Sequence, residues 1–199
     1  MADDTASAMQ ALGIKNADIF GASQGGMIAQ LIAARYPELV NSLVLGSTLS
    51  RINAVSDETL SRWCELAKCG DICALNREIV GKIYSERFLE QFRSAFIAAE
   101  NVGTEEEINR FLILAGACRG FDIFDSLDSI RCPVLVIGSW NDRVLSGEAS
   151  VEIAMKLRCP LIMYKDYGHA VYDEAPDYKA HLLNFFHENR RSLNTKITV

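Results

Sequence analysis

Hydrophobic and polar positions along the chain follow two different periods. Short apolar runs indicate buried strands at residues 17–20, 42–46, 134–138 and 160–164. Apolar residues at helical spacing predict helices between and after these runs, at residues 4–13, 26–36, 148–157 and 175–190. Because strands and helices alternate in this way, we predict an α/β fold with a parallel sheet.

The middle of the chain departs from this alternation. It carries helical patterns and no convincing strand, and we predict helices at residues 58–68, 75–84, 88–101 and 105–118. We therefore divide the chain into the start of a core, a helical insertion, the rest of the core and a loose tail, at residues 1–49, 50–124, 125–191 and 192–199. In the third helix of the insertion, Phe88, Phe92 and Phe96 recur every four residues, which favours packing over the lining of a pocket.

Composition and charge exclude several classes of function. The 199 residues are 49% hydrophobic and carry a net charge of -6, so we expect no nucleic-acid partner. The longest uncharged run, residues 19–34, contains polar residues and glycines and is too short for a membrane span. The N-terminal MADDTAS lacks the features of a signal peptide. These observations favour a cytoplasmic protein without membrane contact.

The six cysteines do not have the spacing of a metal site. Cys64, Cys69 and Cys73 are close in sequence, but they form no C-x2-C pair and no histidine is near. We interpret the cysteines as buried thiols in a reducing compartment, and we expect no metal.

The sequence GASQGG at residues 21–26 lies between a predicted strand and a predicted helix. The spacing of Gly21, Ser23 and Gly25 is typical of a nucleophile elbow, a tight turn that raises a serine above the sheet edge. We expect glycine at both flanking positions because a side chain would clash with the neighbouring strand and helix. The backbone N–H of Gln24 is then placed to donate to an oxyanion at the helix N-terminus.

Two further residues follow strands and complete a possible triad. Asp142 follows the strand at 134–138 and His169 follows the strand at 160–164, so the chain order is Ser, Asp, His. Functional groups of parallel sheets gather at these strand ends. An imidazole can take the proton of a serine and return it to a leaving group, and an aspartate can orient that imidazole.

Other acids and histidines fit these positions less well. Asp166 lies only three residues before His169, and Asp122 and Asp125 border the helical insertion. His181 and His187 lie within the last predicted helix, and we interpret them as surface or packing residues.

Three segments of the chain resemble the α/β-hydrolase superfamily: GASQGGMIAQLIAARYPELVNSLVL, CPVLVIGSWNDRV and YGHAVYDEAPDYKAHLLNFF. The resemblance implies the C-terminal part of an α/β-hydrolase fold, with four parallel strands, flanking helices and a cap formed by residues 50–124. A cap of this kind covers the pocket and sets the choice of substrate. Because the elbow residue is Ser23 rather than Asp, the chain looks like small esterases and enol-lactonases.

In this family the elbow strand usually lies within the sheet, whereas here it is the first strand of the chain. The family loop that supplies a second oxyanion donor precedes the elbow, and residues 1–16 contain no His-Gly pair. We hypothesise an N-terminally truncated hydrolase, the alternative being a half-domain that another chain completes. We expect the strand at 17–20 to expose an apolar edge that supports a homodimer, and we expect weak or no esterase activity.

The resulting hypothesis is a serine hydrolase of a small-molecule carboxylic ester or lactone. Ser23, His169 and Asp142 would act as nucleophile, base and orienting acid, without a cofactor. Hydrolysis of amides or carbon–carbon bonds and perhydrolysis use the same triad and stay open. A hydrolase remnant that acts as a binding or dimerisation module is the non-enzymatic alternative. Phosphate binding by the glycine turn is disfavoured because residues 21–34 contain no Lys or Arg.

Overall fold

A computed structural model of the protein describes the backbone of residues 1–195 and the side chains of residues 1–190. Within this range four parallel strands form one sheet, in the order β1 (Ala17–Ala22), β2 (Val40–Gly46), β3 (Val134–Ser139) and β4 (Leu161–Tyr164). The predicted α/β class and parallel sheet are confirmed. Because all four strands run in the same direction, the residues that follow them meet at one edge of the sheet.

Five of the helices flank this sheet: α1 (Ala2–Ala11), α2 (Gln24–Arg35), α8 (Gly147–Leu157), α9 (Val171–Glu174) and α10 (Tyr178–Thr195). The helix predicted at residues 175–190 begins later, because Ala175 precedes Pro176 and takes an extended conformation with ψ 121°. Helix α10 continues into the tail predicted to be loose, and residues 196–199 lie outside the described residues. None of the helices within residues 1–195 is long and apolar enough to cross a bilayer.

Alternate side chains of the central strands cover the two faces of the sheet. One face packs with residues of α1, α2 and α8, and its buried strand residues are Val40, Leu43, Leu45, Val134 and Val136. The other face packs with Val171, Ala175 and Tyr178, and its strand residues are Val44, Leu135 and Ile137. Since both faces are covered, β2 and β3 are almost entirely buried, and their central residues are apolar, as in other buried parallel strands.

The helical insertion is called the cap from here on. Its two ends meet at one place at the edge of the core. An isolated antiparallel bridge joins Arg51 to Asp122, and the Ile123 N–H donates to the Ser50 carbonyl at 2.9 Å. The cap helices are α3 (Ala54–Lys68), α4 (Ile72–Ile83), α5 (Glu86–Gln91), α6 (Arg93–Ala99) and α7 (Glu105–Arg119). Buried residues of α3, α4 and α7 pack against core residues that include Met27 and Leu145.

The helix predicted at residues 88–101 is wrong: two short helices, α5 and α6, meet at Phe92. No proline or glycine stands at this break, so the pattern did not reveal it. The aromatic rings still cluster, with centroids of Phe88 and Phe92 4.5 Å apart and those of Tyr84 and Phe88 4.8 Å apart. Phe96 also lines a cavity of about 680 Å³ within the cap, so the packing interpretation covers only part of its role.

The six cysteines are all free thiols, but they differ in exposure. Cys64 and Cys118 are buried and the other cysteines apart from Cys69 are half-buried, whereas Cys69 is exposed. The prediction of buried thiols is therefore confirmed for Cys64 and Cys118 and wrong for Cys69. Burial raises the pKa of both the Cys132 and the Cys159 thiol to about 11. Among the described residues, no group of three His, Cys, Asp or Glu side chains is arranged to hold a metal ion.

Candidate active site

Ser23 occupies the turn between β1 and α2 in a backbone conformation that few residues other than glycine adopt. Its φ is 51° and its ψ is -123°, a conformation that persists only where the surroundings enforce it. The Ser23 N–H donates to the Gly46 carbonyl at 2.9 Å, and the Ser23 carbonyl accepts from Gly26 N–H at 2.9 Å. The Thr48 hydroxyl donates to the same carbonyl at 2.7 Å. These contacts hold the turn on both sides of the serine.

The glycines around Ser23 differ in how closely they are packed. A Cβ on Gly21 would lie 2.5 Å from the Gly25 carbonyl oxygen, and a Cβ on Gly26 would lie 2.5 Å from the Thr48 Cβ. A Cβ on Gly25 would meet no described atom within 4 Å. The steric reason expected for both flanking glycines therefore holds for Gly21 and is wrong for Gly25. The closely packed glycine on the helix side is Gly26.

The structure brings Ser23, His169 and Asp142 into one chain of hydrogen bonds. His169 Nε2 lies 3.0 Å from Ser23 Oγ, and His169 Nδ1 lies 2.8 Å from Asp142 Oδ2. The His169 and Asp142 side chains are only 3% and 2% exposed. Because Asp142 accepts at Nδ1, the imidazole presents Nε2 to the serine hydroxyl, which is the arrangement a general base requires.

Asp142 is held by backbone groups as well as by His169. Its Oδ1 accepts from the N–H groups of Val144 and Leu145, each at 2.9 Å. One carboxylate oxygen is thus fixed by the loop after β3, and the other is free to meet the imidazole. No other carboxylate in the described residues is bonded to His169.

The rival acids and histidines lie elsewhere. Asp122 accepts from the Phe124 N–H at the base of the cap, and Asp125 begins a short 3-10 helix. Asp166 lies on the loop before His169. His181 pairs with Asp177 at 3.4 Å on the surface of α10.

Gln24 follows Ser23 and is the first residue of α2, so its N–H is among those without an acceptor inside the helix. Its side chain is engaged by the cap: Nε2 donates to the Leu114 carbonyl at 3.2 Å and to Cys118 Sγ at 3.0 Å. Burial raises the pKa of the Cys118 thiol, so this sulfur is a neutral acceptor. Gln24 therefore connects the elbow to α7.

Sequence reasoning did not identify Thr48, although its hydroxyl fixes the Ser23 carbonyl and its side chain packs on Gly26. Thr48 lies two residues beyond β2, in the stretch GSTLS, where several small polar residues follow one another. No spacing marks this threonine among them, and its role depends on the contact between β2 and the elbow.

Comparison with known proteins places the chain beside hydrolases. A model of the alpha/beta hydrolase fold family matches residues 1–176. A protein of Rhizobium rhizogenes (strain K84 / ATCC BAA-868), described as a putative carbamate hydrolase RutD, is 29% identical over 180 residues. That match covers 89% of this chain and 69% of the relative.

Solved structures give the same picture of the fold. The crystal structure of MGS-M2, an alpha/beta hydrolase enzyme from a Medee basin deep-sea metagenome library, has a TM-score of 0.85 at 25% identity. The match covers 94% of this chain and 70% of that one. The enol-lactonase from Burkholderia xenovorans LB400 has a TM-score of 0.80 at 20% identity, with 94% and 71% covered, a likeness of fold alone.

Proposed function

The chain belongs to the alpha/beta hydrolase fold family, and we propose that it is a serine hydrolase of carboxylic esters or lactones. The observation that carries the proposal is the continuous hydrogen-bonded path from Asp142 through His169 to Ser23. Three such side chains, drawn from three different strand ends, have no structural need to meet in this order. Their contact is what nucleophilic acyl transfer requires.

In the proposed reaction Ser23 Oγ attacks the carbonyl carbon of the substrate while His169 Nε2 takes the hydroxyl proton. The Gln24 N–H stabilises the oxyanion that forms. His169 then returns the proton to the leaving alkoxide, and an acyl group remains on Ser23. Water, activated by the same imidazole, releases the acyl group and restores the serine. Asp142 stabilises the imidazolium in both halves of the cycle.

A carbamate is the second candidate substrate, because the relative from Rhizobium rhizogenes is described as a putative carbamate hydrolase. A carbamate carbonyl is attacked by the same nucleophile, and the leaving group is again protonated by His169. The two substrate classes differ in the groups beside the carbonyl, which the cap would contact. A substrate panel therefore separates them, whereas the triad alone does not.

The test begins with a small fluorophosphonate, which forms a covalent adduct with an activated serine. We expect one adduct per chain, located at Ser23 by mass spectrometry, and no adduct with Ser23→Ala. Ser7→Ala, which changes an exposed serine on α1, is the matched control and should label like the parent protein. Labelled and unlabelled protein are then compared on p-nitrophenyl acetate, a lactone and a p-nitrophenyl carbamate.

Absence of an adduct in folded protein would contradict the proposal and favour a remnant that acts as a binding or dimerisation module. Labelling with turnover of the carbamate alone would replace the ester and lactone assignment.

A further inference from the structure

The loops that carry Asp142 and His169 both contact one segment of the cap. This segment, residues 81–85, is the α4–α5 junction, where α4 ends and α5 begins. The contacts come from Arg143, Gly168 and Ala170, which lie directly beside the two triad members, and from Glu174 at the end of α9.

Arg143, which follows Asp142, binds the end of α4. Its guanidinium Nη2 donates to the Gly81 carbonyl at 2.6 Å and to the Tyr84 carbonyl at 2.9 Å. The last carbonyls of a helix have no partner within it, and a cation near a helix C-terminus is favourable. Arg143 supplies both a donor for these carbonyls and a cation at the helix end. The loop that carries Asp142 is therefore bound to the cap.

Glu174 links the same junction to the loop that carries His169. Its Oε1 accepts from the Gly168 N–H at 3.0 Å and from the Ser85 N–H at 3.1 Å. Its Oε2 accepts from the Ser85 hydroxyl. One half-buried carboxylate therefore joins the residue before His169 to the first residue of the turn into α5.

Backbone groups on either side of His169 make a third contact with the junction. The Ala170 N–H donates to the Ile83 carbonyl at 3.0 Å. A Cβ on Gly168 would lie 2.5 Å from that carbonyl oxygen and 2.9 Å from the Ser85 nitrogen. The two residues on either side of His169 are thus both pressed against the junction, and only glycine allows this approach at position 168.

We propose that the α4–α5 junction is a positioning element of the triad, with Arg143 and Glu174 as positioning residues. This inference rests on the proposed function, since it assumes that the 2.8 and 3.0 Å contacts of His169 serve catalysis. A displacement of about 1 Å in such a site can cost about 10²-fold in rate. The cap thereby acts on kcat as well as on the binding of substrate.

The decisive variant is Gly168→Ala, because its methyl group would push the α4–α5 junction away from the loop that carries His169. The φ of Gly168 lies outside the left-handed range, so the added methyl tests the contact and not the backbone. Gly116→Ala is the matched control, because a Cβ there meets no described atom within 4 Å. We expect Gly168→Ala to lower the rate constant of Ser23 labelling by the small fluorophosphonate by about 10²-fold, and Gly116→Ala to leave it unchanged.

Arg143→Met is the second variant, and it decides the matter if Gly168→Ala does not fold. We expect it to lower the labelling rate about tenfold or more, with partial recovery in Arg143→Lys, which restores a cationic donor without the planar guanidinium. In turnover of p-nitrophenyl acetate, both Gly168→Ala and Arg143→Met should lower kcat with little change in KM. A merely structural role would lower the melting temperature and leave the kcat of the folded fraction unchanged.

The imidazole nitrogen shifts of His169, measured by 15N NMR, report its hydrogen bonds without any need for activity. We expect Gly168→Ala and Arg143→Met to change these shifts and Gly116→Ala to leave them as they are. Unchanged shifts together with labelling within twofold of the parent protein would overturn the positioning role. If the parent protein does not label at all, the proposed function fails, and the NMR shifts alone still decide whether the junction positions His169.

Discussion

Gly25 and Gly26 stand side by side in the elbow and have opposite surroundings. Gly26 faces the Thr48 side chain at distances that leave no room for a methyl group, whereas Gly25 faces open space within the described residues. The sequence pattern marks Gly25 as the motif position, but the structure assigns the close contact to its neighbour. This difference arises because the contact is made by the segment after β2, which is distant in sequence.

Alanine substitution at the two glycines should have different effects on the free energy of unfolding. Gly26→Ala places a methyl within 2.5–2.7 Å of Thr48 atoms, and we expect it to lower the free energy of unfolding by about 1–3 kcal/mol. Gly25→Ala should change that free energy by less than about 0.5 kcal/mol. Urea unfolding followed by circular dichroism measures both. Equal effects of the two substitutions would show that the steric account is mistaken.

The part of the candidate site that the sequence predicted is the contact of three side chains at one edge of the sheet. Ser23, Asp142 and His169 each follow a strand, and topology alone brings the ends of parallel strands to one edge. The sequence did not predict the contacts that hold these side chains in place. Ser85 and Glu174 lie 89 residues apart and Arg143 and Gly81 lie 62 residues apart, and no periodicity connects such pairs.

At the scale of elements, β1 and β2 are joined by more than their ladder. The register shifts by one residue between Ala17 and Asp18, so Asn41 of β2 has no partner of its own. Such a bulge places two residues of one strand opposite one residue of the other. Asn41 and Ser42 consequently both donate to Asp18 Oδ1, at 2.6 and 2.7 Å. Arg190 of α10 contacts the other carboxylate oxygen.

This cluster makes stability depend on acid pH. Burial by itself raises the pKa of Asp18, but the hydrogen bonds from Asn41 and Ser42 and the contact with Arg190 outweigh it, so the pKa lies below its ordinary value. A carboxyl with a lowered pKa stabilises the fold above the ordinary Asp pKa of about 3.9. That contribution is lost as the pH falls through the lowered pKa.

We expect Asp18→Asn to lower the free energy of unfolding at pH 7 by about 1–3 kcal/mol, since it removes charge-assisted hydrogen bonds. The difference from the parent protein should shrink as the pH is lowered below about 4. Asp4→Asn, whose parent side chain is 88% exposed, serves as the control and should show little effect. Urea unfolding at a series of pH values tests this, and a difference that stays constant from pH 7 to pH 3 would contradict it.

Most helices and strands were predictable from periodicity, because each has one face in a continuous core. The errors have local causes. The last predicted helix begins later than expected because of Pro176, and this signal was present in the sequence. The break at Phe92 carries no such signal, since Phe88 and Phe96 continue the helical spacing across it. The bulge at Asn41 depends on pairing between strands, which one sequence does not display.

On the scale of the whole molecule, the sheet is covered on its faces but not along β1. Within the described residues β1 pairs with β2 alone, and Phe20 of this strand is 41% exposed. The opposite edge strand, β4, has only four residues, and short edge strands are less able to template pairing. A six-residue strand with an exposed aromatic ring is a better template, and a second copy of this chain presents the same edge.

We therefore propose that the 199-residue chain forms a homodimer through β1. A charge introduced on this edge by substitution should prevent dimerisation. Phe20→Lys should shift the molar mass measured by light scattering from dimer to monomer, because an edge lysine would have to lose its hydration on pairing. Met155→Lys, which changes a residue 75% exposed on α8, is the control and should leave the dimer intact. Since the Phe20 ring also contacts Tyr178 with centroids 6.0 Å apart, the melting temperature of Phe20→Lys is measured alongside. A parent protein that is monomeric at tens of micromolar, or a dimer that persists in Phe20→Lys, would rule out pairing through this edge.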